Sequence, residues 1–401
     1  MELSFEACLK AIAVSAYPEN FPALYEQMAA DGSLDDPTIT TAAYISEINA
    51  RYSLFKQYLK EVIDAGEAIR QNPALLRYTN LLARAMQDRE HFASGRVGLP
   101  ASEAYDPAFA FSPVIAMLPS MAITEKNLKE HHIPQPYYDQ TFASFEGCVR
   151  IVEQRFGHPG MNATYFGWLQ HYFEVTIFHI HTLNFERKNA MPASCAVLKS
   201  RHTDDIVVLP YNKVMHRDGM ILGSAGYTDE AGSYTAEFRE DEDAYVGYPC
   251  DKLGFCMGIR VRYYKTDWEL ALAPGDPVLS VHIPRGTTLG GNACEEAFDQ
   301  ALRFYAEHYP EFKPKAFVCY SWLMDKRLDA ICGGTKNISV FQSYFKTFPI
   351  PSAGKEVFSF VFIHPFDRYE DLPEDTRMMR ALKKRYLDGD FVHAFGGVRL
   401  I

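Results

Sequence analysis

The run Pro277-Val-Leu-Ser-Val-His-Ile-Pro284 continues into Arg285-Gly-Thr-Thr-Leu-Gly-Gly291 and then Asn292-Ala-Cys-Glu-Glu-Ala-Phe-Asp-Gln-Ala-Leu-Arg-Phe-Tyr-Ala-Glu-His308. It reads as strand, glycine-bearing turn, helix. Val278 to Ile283 is a short apolar, β-branched run closed by Pro284, the pattern of a strand end. Ala293, Ala297, Ala301 and Tyr305 recur every four residues, flanked by Cys294, Phe298 and Leu302, which predicts a helix with one buried side. Asn292 is placed to cap it, and Glu295 and Glu296 are ordinary first-turn acids. Gly286, Gly290 and Gly291 free the backbone just ahead of the helix. Backbone N–H groups at such a start can hold a pyrophosphate. The same glycines also suit a tight reversal that binds nothing.

Downstream, Ala316 to Ser321 is an apolar strand, and Trp322 to Ile331 reads as a helix ended by Gly333-Gly334. Asn337 to Phe345 reads as a short helix capped by Asn337, Val357 to Ile363 as a strand, Glu374 to Leu387 as a charged amphipathic helix, and Phe391 to Ile401 as extended. Upstream, short strand-like runs (Cys195 to Leu198, Asp205 to Leu209, Tyr234 to Phe238, Met257 to Tyr264, Trp268 to Ala273) alternate with Gly- and Asp-rich turns. Before about residue 157 the periodicity is helical throughout. Thr40 to Arg70 carries its longest stretch, and Pro113 bends or starts a helix within Phe109 to Met121. The fold class is therefore α+β: an all-helical N-terminal domain over 1–156, then a mixed β-sheet domain flanked by helices over 157–401.

At 401 residues the chain is long enough for two cores, and with 47% hydrophobic residues it can fill them. The sequence shows no apolar run of the length a membrane span needs and no basic-plus-apolar leader, so a cytoplasmic protein without a membrane partner is expected. The eight cysteines form no C-x-x-C pair and read as buried thiols. A net charge of −11 argues against nucleic acid as a partner.

The order strand, Gly-turn, helix, strand, helix, strand, helix, strand resembles the GNAT acyltransferase superfamily. More closely it resembles two-domain acyltransferases with a helical N-terminal domain and a GNAT-like C-terminal domain. The resemblance rests on Trp268, Gly275-Asp276, Val278-Leu-Ser-Val-His-Ile-Pro284 and Phe317-Val-Cys-Tyr-Ser-Trp-Leu-Met-Asp325, with Leu183-Asn-Phe-Glu186 and Asn337-Ile338 fitting as well. It implies an acyl-CoA co-substrate, acetyl-CoA or another, no metal, and a small-molecule acceptor carrying an amine or hydroxyl. A homodimer is left open. In that superfamily the strand end pairs with the pantetheine arm and the next turn, of pattern Q/R-x-x-G-x-G/A, holds the pyrophosphate. Carried over, the coenzyme-binding residues are Ile283, Arg285, Gly286, Thr287, Thr288, Leu289, Gly290, Gly291 and Asn292. Arg285 matches the first motif position and Gly290 the last. Thr288 stands where the inner glycine belongs, and Pro284 removes one N–H from the strand end.

Direct acyl transfer needs a base for the nucleophile, donors for the oxyanion and an acid for the leaving thiolate. His282 suits the base by its titration range and equally suits a hydrogen-bonded strand end. Tyr320 and Ser321, ending the next strand where the sheet can splay, are candidates for the acid. Asp325 is expected on the following helix, orienting His282 or Ser321, or else on the helix surface. Other readings stay open: a module that binds without catalysis, or a hydrolase using Cys319 or Ser321 with His282, although no G-x-S-x-G elbow exists. His179 and His181 share a strand face at a spacing that can bind metal, yet no third ligand is near in sequence. They are read as core or pocket histidines.

Overall fold

The computed structural model describes residues 3–88, 92, 96–287, 289–332, 336–362, 364 and 366–401, with the backbone alone at 331, 332 and 336. The chain divides into two compact units, Met1–Phe178 and His179–Ile401. The division falls beyond the helix Ala163–Phe173, whereas the texture of the sequence changes at 157.

The first unit is helical among its described residues, apart from the start of one strand at its end. Its helices are α1 (Phe5–Ala11), α2 (Phe21–Asp31), α3 (Ala42–Tyr52), α4 (Leu59–Arg70), α5 (Pro73–Ala85), α6 (Pro107–Met117), α7 (Met121–Glu130), α8 (Gln135–Phe156) and α9 (Ala163–Phe173). Local chemistry sets many of the starts. Ser4, Thr41, Asn72, Asp106 and Asn162 each accept a first-turn N–H on the side chain. Pro73 and Pro107 sit at first helical positions, where the missing N–H costs nothing. The long periodic stretch over 40–70 is two helices, because Ser53 takes a left-handed φ of 53° and ends α3. Pro113 lies inside α6 and not at its start; Asp106 and Pro107 fix the start instead. Within residues 107–130 an 18-residue window with a mean hydropathy of 1.5 makes this stretch long and apolar enough to cross a bilayer by composition alone. Two-thirds of that window is buried inside the protein, as in a soluble core helix.

The second unit is built on a six-stranded sheet in the order β1-β2-β11-β12-β14-β13. The strands are β1 (Ile177–Ile180), β2 (Leu183–Lys188), β3 (Cys195–Ser200), β4 (Ile206–Pro210), β5 (Lys213–Met215), β6 (Tyr234–Ala236), β7 (Arg239–Glu240), β8 (Ala244–Gly247), β9 (Val261–Tyr264), β10 (Trp268–Leu272), β11 (Val278–His282), β12 (Ala316–Ser321), β13 (Lys346–Pro349) and β14 (Phe395–Leu400). β11 runs antiparallel to β2 and parallel to β12, and β14 runs antiparallel to both β12 and β13. The parallel pair is joined by the predicted helix, α10 (Ala293–His308).

The pleat sends alternate side chains to opposite faces. On one face Phe185 and Phe317 meet Phe298 of α10, with ring centroids 4.8–6.1 Å apart, and Tyr305 Oη donates to the Phe185 carbonyl at 2.8 Å. On the other, Val278, Ala316, Val318 and Val398 pack against Cys195, Val197, Val208 and Leu272 of the small sheet β10-β3-β4. The mixed sheet flanked by helices is the expected α+β class.

Three expected elements differ. Trp322–Met324 is one 3-10 turn, and only α11 (Leu328–Cys332) is helical beyond it; Gly333-Gly334 lies outside the described residues. Asn337 falls inside α12 (Lys336–Ser343) instead of capping it. The run Val357 to Ile363, expected as a strand, contains a helical turn, α13 (Phe358–Val361), and Ile363 lies outside the described residues. Lys346–Pro349 already holds the sheet edge beside β14. The aromatic run instead buries Phe358 and Phe362 against Leu382 and Tyr386 of α14 (Arg377–Leu387). β-propensity expresses a fit to a half-buried pleat, and here none is free.

Candidate active site

Register places the candidate residues in rows. His282 pairs with Asn184 and Ser280 with Glu186 across β11 and β2. Ser280 pairs with Val318 across β11 and β12, and Tyr320 with Gly396 across β12 and β14. By the two-residue period, Asn184, Glu186, His282 and Tyr320 share one face, the face opposite α10.

Between the parallel strands the pairing stops early. The β11–β12 ladder covers Val278–Ser280 against Ala316–Val318 and no further. Yet β11 stays paired to β2 as far as His282, and β12 to β14 as far as Ser321. The two strands therefore part at their C-terminal ends, and His282 and Tyr320 flank the opening. Backbone groups that leave a ladder inside a sheet need other partners.

His282 Nε2 lies 3.0 Å from Glu186 Oε2. Glu186 is 2% exposed and is also ion-paired to Lys188. A carboxylate only accepts, so the proton in this contact sits on His282 Nε2. Beside it, His179 Nδ1 donates to Asn184 Oδ1 at 2.8 Å. His181 reaches Glu296 of α10 at 3.3 Å. Among the described residues no three His, Cys, Asp or Glu side chains are grouped to hold a metal ion.

Tyr320 has a buried hydroxyl without a hydrogen-bond partner among the described residues, and burial pushes its pKa well above the ordinary phenol value. Its ring lines a cavity of about 300 Å³ walled by Pro192, Ala193, Ile221, Phe348 and Ile350, with Lys213 and Ser194 as polar members. The far end of the Phe348 ring reaches Gly396, where a Cβ would come within 2.3 Å of it.

The turn after β11 runs from Ile283 to Asn292, with Thr288 outside the described residues. Gly286 and Gly291 take φ of 78° and 64°, the left-handed region that glycine enters without strain. Gly290 is glycine for a different reason: a Cβ there would stand 2.4 Å from Asn337 Oδ1. Thr287 N–H closes a turn onto the Pro284 carbonyl, Leu289 is buried, and Arg285 is exposed. Asn292 occupies the cap position of α10 but makes no side-chain cap bond.

Asp325 and Ser321 do not join His282. Because the chain makes a single 3-10 turn after β12, Asp325 points inward and is fully buried. It accepts from Arg327 Nε and Nη2 at 2.8 and 2.6 Å and from the His393 amide at 3.1 Å. Ser321 Oγ accepts the Leu323 N–H, capping that turn. Ser321 and Cys319 lie on the α10 face by the pleat, and burial pushes the Cys319 thiol up to about 12. The nucleophile–histidine pairing of a hydrolase is not assembled. Glu186 takes the place expected of Asp325. The alternation in Leu183-Asn-Phe-Glu186 signals a strand with an acid on one face, but only the register shows that this face carries His282.

The family described as GNAT-like C-terminal domain matches residues 177–399. The chain also superposes on a solved acyltransferase in complex with decanoyl-CoA and teicoplanin, with a TM-score of 0.63 and 16% identity over 98% of each chain. A second solved acyltransferase, in complex with decanoyl-CoA, gives 0.58 and 16% identity over 90% of this chain and 88% of the other. No curated protein sequence matches it.

Proposed function

Since this chain belongs to the family with the GNAT-like C-terminal domain, we propose that it transfers an acyl group from acyl-CoA directly to an amine or hydroxyl of a small acceptor. The observation that carries this reading is the early end of the β11–β12 ladder, flanked by His282 and Tyr320 and followed at once by the glycine turn into α10. An opening at the end of a strand ladder suits an amide-rich pantetheine arm, and the turn with Arg285 suits its pyrophosphate.

In this reading the His282 imidazole takes the proton of the attacking amine. Glu186 acts as a positioning residue: it holds Nε2–H and stabilises the imidazolium that forms. The nucleophile adds to the thioester carbonyl, the C–S bond breaks, and the thiolate departs. Burial keeps the Tyr320 hydroxyl protonated, so it serves as a hydrogen-bond donor to the developing thiolate.

For the acyl chain we favour one longer than acetyl. The apolar cavity at Tyr320 supports this, since it lies on the face of His282 one strand away. The two solved acyltransferases with decanoyl-CoA lend further support. The test is release of CoA with acetyl-, octanoyl- and decanoyl-CoA against a panel of amines, alongside calorimetric binding of CoA. Binding plus acceptor-dependent release supports the proposal; no binding of CoA removes it.

A further inference from the structure

We propose that the helical unit carries a binding site of its own, at the junction of α3, α7 and α8, for a small aromatic molecule bearing a carboxylate. A cavity of about 680 Å³ lies there, well inside the roughly 300–1,000 Å³ of small-molecule sites. All of its lining residues belong to the first unit.

The apolar part of the wall is aromatic. Tyr52 and Phe142 are buried and packed ring to ring, with centroids 4.8 Å apart, and Tyr138 adds a partly exposed ring. A planar apolar body can stack on Tyr138, the one of these three rings that is not buried. The charged part of the wall is unbalanced. Arg51, Lys56 and Lys129 face two carboxylates, Glu125 and Asp139.

Glu125 is already committed. It accepts from Tyr52 Oη at 2.9 Å and from both Arg51 and Lys129. Asp139 stands exposed beside Gln135 Nε2. Lys56 makes no ion pair among the described residues.

Lys56 is held on a tethered connection. Asn49 bonds both the N–H and the carbonyl of Phe55, at 2.7 and 3.0 Å. Glu146, which does not line the cavity, accepts the amides of Lys56 and Gln57 at 2.7 and 2.6 Å. A fixed loop, an uncommitted ammonium and an aromatic wall make a preorganised seat for an anion with an apolar body.

The experiment is calorimetry on the full chain with 2-naphthoate and, as the uncharged counterpart, 2-naphthamide. Naphthoate is expected to bind at least about tenfold more tightly than the amide, and Lys56→Glu to erase that margin, since losing and inverting one close charge is worth about that factor. Lys56→Arg should keep it, and Tyr138→Ala should weaken both probes. Lys56 is exposed, so an unchanged melting temperature will show that the variant is folded. If naphthoate gives no binding heat, binds no better than the amide, or binds Lys56→Glu as it binds the parent, the proposal is wrong. None of these outcomes depends on CoA, so the acyl-transfer reading stands or falls separately.

Discussion

The two faces of the six-stranded sheet come from alternate residues of the same strands, yet they differ in kind. On the α10 side, Phe185, Phe317 and Phe298 close into a ring cluster. On the opposite face stand Glu186, His282 and Tyr320, beside an apolar cavity. The first face is a packing solution that leaves the chain nothing to react with. The second tolerates a buried carboxylate and an unpartnered hydroxyl, both of which cost stability unless they serve something. Function and cohesion are thus separated by a single peptide step.

The largest expected effect tests that separation on the polar face. His282→Ala should lower turnover about 10²–10⁴-fold while CoA affinity stays within about threefold. Steady-state kinetics beside calorimetry reads both, and a turnover left intact would remove His282 as base. On the opposite face, Phe298→Ala should cost about 3–5 kcal/mol of stability in denaturant unfolding. A loss under about 1 kcal/mol would mean that the ring cluster is not what holds α10 to the sheet. Gly396→Ala drives a Cβ into the Phe348 ring and should cost about 1–3 kcal/mol by overpacking, with the long-chain to acetyl preference falling as Phe348 moves.

Acid should act through His393, away from both faces. Its Nε2–H donates to the Ala225 carbonyl at 2.7 Å and its Nδ1 accepts from Arg327 at 2.9 Å, so only the neutral ring satisfies the site. Burial holds its pKa below 6.5. Below that value the unfolded chain takes up a proton that the fold refuses, so stability is present above it and falls with pH by up to about 1.4 kcal/mol per unit. His393→Gln should flatten this slope in urea titrations between pH 5 and 7. The smallest stability change is expected for Tyr320→Phe: under about 1 kcal/mol, because the lost hydroxyl has no partner, with turnover lowered about tenfold. Equal turnover would leave Tyr320 as a wall of the cavity only.

Much of this was legible in one dimension. The strand–turn–helix from Val278 to His308 is present as read, because β-branched alternation and a four-residue repeat are local signals. The helix expected over Trp322–Ile331 and the strand expected over Val357–Ile363 do not form as such, for the opposite reason. Both runs have the composition for the expected element, and both are overridden by what lies beside them: the buried Asp325–Arg327 pair in one case and an occupied sheet edge in the other. Gly290 shows the same limit within the candidate site. As a glycine before a helix it suggested phosphate, whereas its missing Cβ also lets Asn337 close in.

What the chain order alone determined is the sequence of elements and the residue types at the end of β11, because hydrophobic period, turn chemistry and capping act within a few residues. Which carboxylate faces His282, where the parallel pair opens and what walls the cavity beside Tyr320 were decided only in three dimensions. Glu186 and His282 lie 96 positions apart, and their meeting depends on strand register, which no local pattern encodes.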